Sequence, residues 1–277
     1  MQGKRQARKF DLKTRPEFVD LHCHLLPEMD DGAASWDTAL AMARMAAADG
    51  ITTVVATPHQ LGSFAANRGE AIRQKTERLQ AMLDEQGVSL TVLPGADVRI
   101  EPGMIENIRK GEVLTLADRG RHVLLELPHE VYLPLDRLLG ELRRAGLTGI
   151  LSHPERNQGI LARPQLVASL VQAGCLIQIT AASLLGGFGS RSRNLSETLV
   201  KQGLAHFVSS DAHNTKSRPP LLSEAYDCVA ALTSPATADL WFYRNPAAVV
   251  EGRAVAVHNK SVATPARRSW FRWSRAG

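Results

Sequence analysis

Residues 18–24 read Phe-Val-Asp-Leu-His-Cys-His, and residues 51–59 read Ile-Thr-Thr-Val-Val-Ala-Thr-Pro-His. Each is a short β-branched and apolar run that turns polar at its C-terminal end. In an extended chain alternate side chains share a face, so His22 and His24 project to the same side and can reach one ion. The same pattern recurs outward from these two stretches. It predicts strands over 18–22, 51–57, 90–93, 123–127, 149–152, 176–180 and 206–210. Between them lie amphipathic stretches. One starts at Ser35 as N-cap, runs through Trp36, Leu40, Ala43 and Ala47, and stops at Gly50. Another covers 70–86, with Ile72, Leu79 and Leu83 as its buried stripe. Further helices are expected over 135–145, 164–173 and 195–202. Short strands alternating with helices imply βα units around a parallel sheet, and about seven of them imply one closed or nearly closed α/β barrel. The glycine-rich stretch Gly186, Gly187, Gly189 is expected to form a mobile surface loop at the mouth of the site. Asn245-Pro246 is expected to break the C-terminal helical region.

A composition of 44% hydrophobic and 22% charged residues suffices for one sizeable core. The net charge of +5 divides unevenly. Residues 1–15 carry Lys4, Arg5, Arg8, Lys9, Lys13 and Arg15 against Asp11, a net +5. Residues 260–277 carry Lys260, Arg267, Arg268, Arg272 and Arg275 with no acid, another +5, so the segment between them is −5. The expected organisation is a basic extension at 1–15, one domain over 16–259, and a basic tail at 260–277 that is expected to be disordered. Basic ends on an acidic body argue against a nucleic-acid partner. The tail interleaves its arginines with Trp270, Phe271 and Trp273, a composition suited to peripheral contact with an anionic membrane. The N-terminus lacks the apolar stretch of a secretory signal and no apolar run is long enough to span a bilayer, so the expected location is the cytoplasm, at its periphery the inner membrane. Cys23, Cys175 and Cys228 are an odd count at unrelated spacings, which predicts neither a disulfide framework nor a CxxC metal site.

The chemistry-bearing residues cluster where the predicted strands end. The first strand runs into Asp20-Leu-His22-Cys-His24, followed by Asp30-Asp31-Gly32. Later strand ends bring Thr57-Pro58-His59, Gly95-Ala-Asp97, Glu126-Leu-Pro128, Ser152-His153-Pro154-Glu155-Arg156 and Ser209-Ser210-Asp211-Ala-His213. In α/β barrels the C-terminal strand ends form the working face. Five of the nine histidines fall there: His22, His24, His59, His153 and His213. Mixed imidazole and carboxylate donors suit manganese, iron or zinc, and so many donors imply two or three ions. Singly, each element has a blander reading. Asp30-Asp31-Gly32 makes a turn and Asp211 a helix cap, and His122, His129, His206 and His258 are read as ordinary surface or hydrogen-bonded histidines. The coincidence at successive strand ends is what favours the metal.

As an ordered set over roughly 18–232, these motifs, with Asn214 following His213, resemble the polymerase-and-histidinol-phosphatase (PHP) superfamily, and within it the protein-tyrosine phosphatases of bacterial capsule and exopolysaccharide synthesis. The resemblance implies a distorted (β/α)7 TIM-like barrel and a trinuclear site, usually loaded with manganese; iron, zinc, cobalt or magnesium would also suit the donors. It implies that His22, His24 and Asp211 hold one metal, that Glu126 and His153 hold a second bridged to the first by Asp97, and that His59, His213 and Asp31 hold a third. Asp30 is the alternative to Asp31. Arg156 and Arg218 match arginines near the phosphate, and with Asp211 they are the expected catalytic residues. This chain departs from the pattern at Asp97, where the family usually has Glu.

Such a site fits phosphate-monoester hydrolysis, because clustered cations neutralise the anionic oxygens that repel nucleophiles. The transition state is loose, so positioning and charge stabilisation dominate, and planar guanidinium groups suit the non-bridging oxygens. A cysteine-based phosphatase needs Arg six positions after its Cys; here those positions hold Met29, Ala181 and Ser234. No GxxxxGK[ST] loop and no DxD strand is present. The expected activity is hydrolysis of protein phosphotyrosine, the expected partner a membrane-linked bacterial tyrosine kinase of polysaccharide export. The competing readings are a phosphoesterase acting on a small phosphomonoester such as histidinol phosphate or on a nucleic-acid phosphodiester, and a regulatory scaffold that binds metal without turnover. The full donor set and two arginines argue against the scaffold.

Overall fold

Among the described residues the named strands pair only in parallel, and they follow one another nearly in chain order. The computed structural model describes residues 17–256. The basic segments expected at 1–15 and 260–277 lie outside the described residues. The strands are β1 (Phe18–Cys23), β2 (Ile51–Ala56), β3 (His59–Gln60), β4 (Thr91–Pro94), β5 (Asp97–Arg99), β6 (His122–Glu126), β7 (Thr148–Ser152), β8 (Leu176–Thr180) and β9 (Phe207–Ser209). They form two sheets, β1-β2-β4 and β3-β5-β6-β7-β8-β9.

The division has a local cause. β2 and β3 are halves of one strand interrupted at Thr57-Pro58, where proline supplies no N–H to a ladder. β4 and β5 are likewise interrupted at Gly95-Ala96. A Cβ on Gly95 would lie 2.6 Å from Val55 Cγ1, so only glycine permits this close approach of β4 to β2. Counting each broken strand once leaves seven strand positions, in agreement with the expected distorted (β/α)7 arrangement. Beyond β9, Ala212 pairs with Cys23 of β1. The Asp211 N–H donates to His22 O at 2.7 Å and the His24 N–H to Ala212 O at 2.8 Å, so first and last strands meet at their C-terminal ends.

Two apolar clusters follow from strand alternation. Leu124, Ile150, Leu176 and Phe207 face a small inner cluster with Val19, Leu21 and Val55. Their neighbours Val123, Leu151, Ile177 and Val208 face outward to a large cluster shared with the helices. Two residues further along the inner face, Leu124 gives way to Glu126, Ile150 to Ser152 and Leu176 to Gln178. The apolar plug thus becomes polar toward the C-terminal strand ends.

Most helices form where expected. In Trp36–Ala48 the Ser35 side chain accepts from the Thr38 N–H, and Gly69–Glu85 buries Ile72, Leu79 and Leu83. Two expectations are corrected. The helix expected over 195–202 does not begin at 195, although the glycine-rich stretch before it is the short surface turn expected. Helix Ala181–Leu184 and helix Gly189–Gln202 flank a turn of four residues, and the second helix starts well before position 195. Nor does Asn245-Pro246 break the C-terminal region. A π-helical turn, Leu240–Arg244, runs directly into helix Asn245–Val250, and Pro246 sits in its first turn, where a missing N–H costs no bond. Asn245 is buried and donates to His206 O at 3.1 Å, which ties this segment to the start of β9. Among the described residues no helix is long and apolar enough to cross a membrane.

Candidate metal centre

The polar inner face opens into a cavity of about 240 Å³ whose lining includes Asp31, Glu126, His153, Arg156, Asp211 and Arg218. All nine ligand candidates converge here. Their donor atoms fall into four groups: His22, His24 and Asp211; His22, Asp97 and His153; His59, Asp97 and Glu126; and His24, Asp31, His59 and His213. Within a group, the donors lie within 4.8 Å of one another. The first group is the trio expected for one metal. The last contains the trio expected for another. Asp97 belongs to two groups, as a bridging carboxylate would, but the structure sets Glu126 beside His59 and His153 beside His22, rather than Glu126 with His153.

Three of the five histidines, His22, His24 and His213, are aimed by their second nitrogen. The Nδ1 of His22 lies 3.0 Å from Gln178 Oε1, and that of His24 lies 2.7 Å from Asp30 Oδ2. Those acceptors call for a proton on each Nδ1, which leaves the two Nε2 atoms facing each other at 3.1 Å, where one cation can reach both. The His213 Nδ1 lies 3.0 Å from Asp211 O, which turns its Nε2 toward Asp31 Oδ1 at 3.4 Å. Lone pairs set against lone pairs and carboxylates repel unless a cation lies between them. Several buried atoms here make no hydrogen bond within the described residues: Asp97 Oδ1 and Oδ2, Asp211 Oδ1 and His59 Nδ1. Native proteins rarely leave so many buried polar atoms unpaired. The donor set fits divalent cations.

The electrostatics agree. Burial, with the Glu126 charge adding to it, pushes the Asp97 carboxyl well above its ordinary range. Burial opposes ionisation of Asp211 too, but His22, His24, His153 and Arg218 outweigh it and hold that carboxyl well below. Burial takes His22 down to about 3. It works against a proton on His24 as well, yet Asp30 and Asp211 carry that imidazole up to about 10. The negative field that favours a proton on His24 favours a cation equally.

Asp30 and Asp31 divide their work. Asp30 Oδ2 accepts from the His59 backbone N–H at 2.8 Å in addition to orienting His24, and its Oδ1 accepts from the Gly32 N–H at 2.9 Å. Both its oxygens are occupied. Asp31 is 58% exposed, with Oδ1 3.6 Å from His59 Nε2, so Asp31 is the candidate ligand and Asp30 the residue that aims His24.

Two ligand candidates stand at strained backbone positions, His153 with φ 30° and Asp211 with φ 51°. Asp20, fully buried, supports the second. It accepts from the Ser210 backbone N–H at 3.0 Å and from the Ser210 hydroxyl, and so fastens β1 to the turn that carries Asp211. Arg156 and Arg218 both pair with Asp211 Oδ2. The Arg218 backbone is held in turn by Asn214, whose Oδ1 accepts from the N–H groups of Lys216, Ser217 and Arg218. That explains the asparagine after His213.

Sequence reasoning gave Gln178 no role and left Asp30 only as a rival ligand. The inner-face spacing from Leu176 to Gln178 was the available signal for the first. His129, read as an ordinary histidine, lines the cavity. His206 and His122 are not among its lining residues; His206 is buried and hydrogen-bonded, in keeping with that reading, whereas His122 is buried with an Nδ1 that makes no hydrogen bond within the described residues. The cysteines offer no nucleophile. Burial raises all three thiols, Cys23 well above its ordinary value and Cys175 to about 12, and none is in a disulfide.

A parallel α/β ring with clustered imidazoles and carboxylates at its C-terminal strand ends is the architecture of a metal-assisted hydrolase. The chain belongs to the capsular polysaccharide synthesis family CpsB/CapC, whose profile matches residues 18–251. It is 39% identical over 202 residues to tyrosine-protein phosphatase YwqE of Bacillus subtilis, covering 72% of this chain and 79% of that one. It is 35% identical over 210 residues to putative tyrosine-protein phosphatase CapC of Staphylococcus aureus, covering 76% and 82%. Among solved structures it is similar to a chain from the crystal structures of YwqE from B. subtilis and CpsB from Streptococcus pneumoniae, described as unique metal-dependent tyrosine phosphatases. That match has a TM-score of 0.82 at 33% identity and covers 86% of this chain and 96% of the other. The phosphotriesterase homology protein of Escherichia coli shares the fold at a TM-score of 0.57 and 11% identity, over 84% of this chain and 98% of its own.

Proposed function

We propose that this chain is a metal-dependent protein-tyrosine phosphatase that acts on a membrane-linked bacterial tyrosine kinase of capsule or exopolysaccharide export. The observation that carries the phosphate reading is the arginine pair beside the donor groups. Arg218 Nε is buried and makes no hydrogen bond within the described residues, while its Nη2 is 2.6 Å from Asp211 Oδ2. Such a donor, lining a cavity, suits an anionic oxygen.

His22, His24, Asp31, His59, Asp97, Glu126, His153, Asp211 and His213 would hold two or three ions, with manganese the expected metal. Bound there, the ions would neutralise the phosphate and lower the pKa of a water. The chain's own groups do the rest. Gln178 and Asp30 fix the imidazole tautomers, and Asp211 anchors both guanidinium groups through one oxygen. Arg156 and Arg218 then grip non-bridging oxygens in the geometry the loose transition state needs. A phenolate is a better leaving group than an alkoxide, so tyrosine phosphate makes the least demand on a proton donor.

The deciding assay compares phosphotyrosine peptide, histidinol phosphate and single-stranded DNA side by side with added manganese. Phosphotyrosine hydrolysis is expected to dominate, to vanish on chelation and return with manganese, and to survive replacement of all three cysteines by serine. Preference for either other substrate, or chelator-resistant turnover, would overturn the reading.

We further propose that the protein works in the cytoplasm against the inner membrane, with segment 260–277 attracted to anionic lipid. Flotation with anionic vesicles is expected to show salt-sensitive binding that disappears when residues 261–277 are deleted. Identical behaviour of full-length and truncated protein would rule this out.

A further inference from the structure

Phe188 lies in the four-residue turn between helix Ala181–Leu184 and helix Gly189–Gln202. The chain adopts positive φ on either side of it, 95° at Gly186 and 85° at Gly189, conformations open to glycine and costly to other residues. These reversals place the Phe188 ring against the arginine pair. The guanidinium carbon of Arg156 lies 4.2 Å from the ring centroid and that of Arg218 lies 5.7 Å away. Among the described residues Phe188 packs on neither apolar cluster, so contribution to a core does not explain it. On the other side both guanidinium groups meet Asp211 Oδ2.

The two backbones are fixed independently of this contact. Arg156 sits on the turn Pro154–Arg156, where its N–H donates to His153 O at 2.9 Å. The Asn214 side chain fixes the backbone at Arg218. What these anchors leave free is the long arginine side chain, which loses much rotamer entropy when it is held still. An ion pair through one shared oxygen restrains the end of each guanidinium group but not the tilt of its plane. An aromatic face does restrain the plane, and cation–π attraction strengthens as the pair is withdrawn from water.

We propose that Phe188 is a positioning residue for phosphate. Its ring and Asp211 hold the Arg156 and Arg218 guanidinium planes between them, so that the arginine clamp is preset before the anion arrives. The inference rests on the phosphate-monoester reading of the cavity and deepens it. The glycines at 186 and 189 serve this placement, rather than a mobile rim.

The test uses the full chain loaded with manganese. The variants are Phe188→Leu, Phe188→Met as a second apolar replacement in case the first does not fold, Phe188→Trp, Arg156→Ala, and Phe188→Leu combined with Arg156→Ala. For each, metal content, thermal unfolding and the affinity for inorganic phosphate by calorimetry are measured, then kcat/KM on phosphotyrosine peptide. The leucine or methionine variant is expected to keep its metal and melting temperature while phosphate affinity falls by about tenfold. Tryptophan is expected to restore most of that loss. The loss from Phe188→Leu is expected to shrink severalfold in the Arg156→Ala background, because a residue acting through Arg156 has little left to act upon. Wild-type phosphate affinity in a folded, metal-loaded leucine or methionine variant overturns the proposal. So does an undiminished loss in the Arg156→Ala background, which would mark a role unrelated to the clamp. Phosphate binding needs no turnover, so a wild-type protein that fails to hydrolyse phosphotyrosine counts against the proposed activity and leaves this result to be judged separately.

Discussion

Asp97 stands where the sequence resemblance leads one to expect glutamate, and it reaches its partners with a side chain one methylene shorter. Its Oδ2 lies 3.6 Å from His22 Nε2 and 3.5 Å from His59 Nδ1, and the side chain is fully buried. A shorter side chain can keep this contact if its backbone lies closer to the site, and we take the close packing of Gly95 on Val55 to permit that placement. Asp97→Glu would then push the carboxylate too far. It is expected to lower metal content and weaken manganese binding, and Asp97→Ala to do so by more than about 10–100-fold, the range for a residue that merely orients a ligand. Manganese titration decides: an alanine variant with a full metal complement at wild-type affinity would show that Asp97 is no ligand. Most of the nine candidate donors were legible because they fall at or just past the ends of predicted strands, where residue type and spacing point to one face; Asp31, in the loop after β1, was left open against Asp30. The roles of Gln178, Asp30 and Phe188 were not legible. An amide, a second aspartate and an isolated aromatic acquire meaning only from the atom opposite them in space.

The elements were legible wherever periodicity governed and less so where a single residue overrode it. The strand expected over 51–57 forms as β2, and what periodicity did not show is that pairing resumes past Pro58 as β3, with His59 beside Asp97. Strand 90–93 was seen, while β5 was not, because three residues carry no period. The helical stretch across Pro246 was misjudged because a π turn before it leaves proline in a first turn. The β4–β5 break gives a prediction at this level. In Gly95→Ala the new methyl would meet Val55 Cγ1 at 2.6 Å, and valine is stiff at χ1, so backbone must give. The variant is expected to lose about 1–3 kcal/mol of stability and to bind manganese more weakly as Asp97 is displaced. Val55→Ala in the same chain is expected to restore part of both. An unchanged melting temperature in Gly95→Ala would show that β4 and β2 can separate at no cost.

For the molecule as a whole, the metal site is not the only source of acid sensitivity. His206 is 4% exposed, and its Nδ1 accepts from the Ile177 N–H at 3.1 Å, joining β8 to β9. That nitrogen must be unprotonated, and burial lowers the imidazole to about 4. His122, at the start of β6, is lowered to about 4 as well, by burial and by the neighbouring Arg121. An imidazole in an unfolded chain titrates near 6.5. Between those values the unfolded chain binds more protons than the folded one, so stability must rise with pH across that window. The contribution of each histidine is therefore fully present above about pH 6.5 and is lost as pH falls toward about 4. Going from about pH 7 to about pH 5, each is expected to account for roughly 1–2 kcal/mol. His206→Asn keeps an acceptor within reach of the Ile177 N–H but cannot titrate. Denaturant unfolding of wild type and variant under one metal concentration isolates its share, because losses at the metal centre are common to both. The variant should lose about 1–2 kcal/mol less than wild type across that pH interval. Equal losses in the two proteins would mean that folding does not lower the His206 imidazole, and that its Nδ1 is not held as the acceptor that joins β8 to β9.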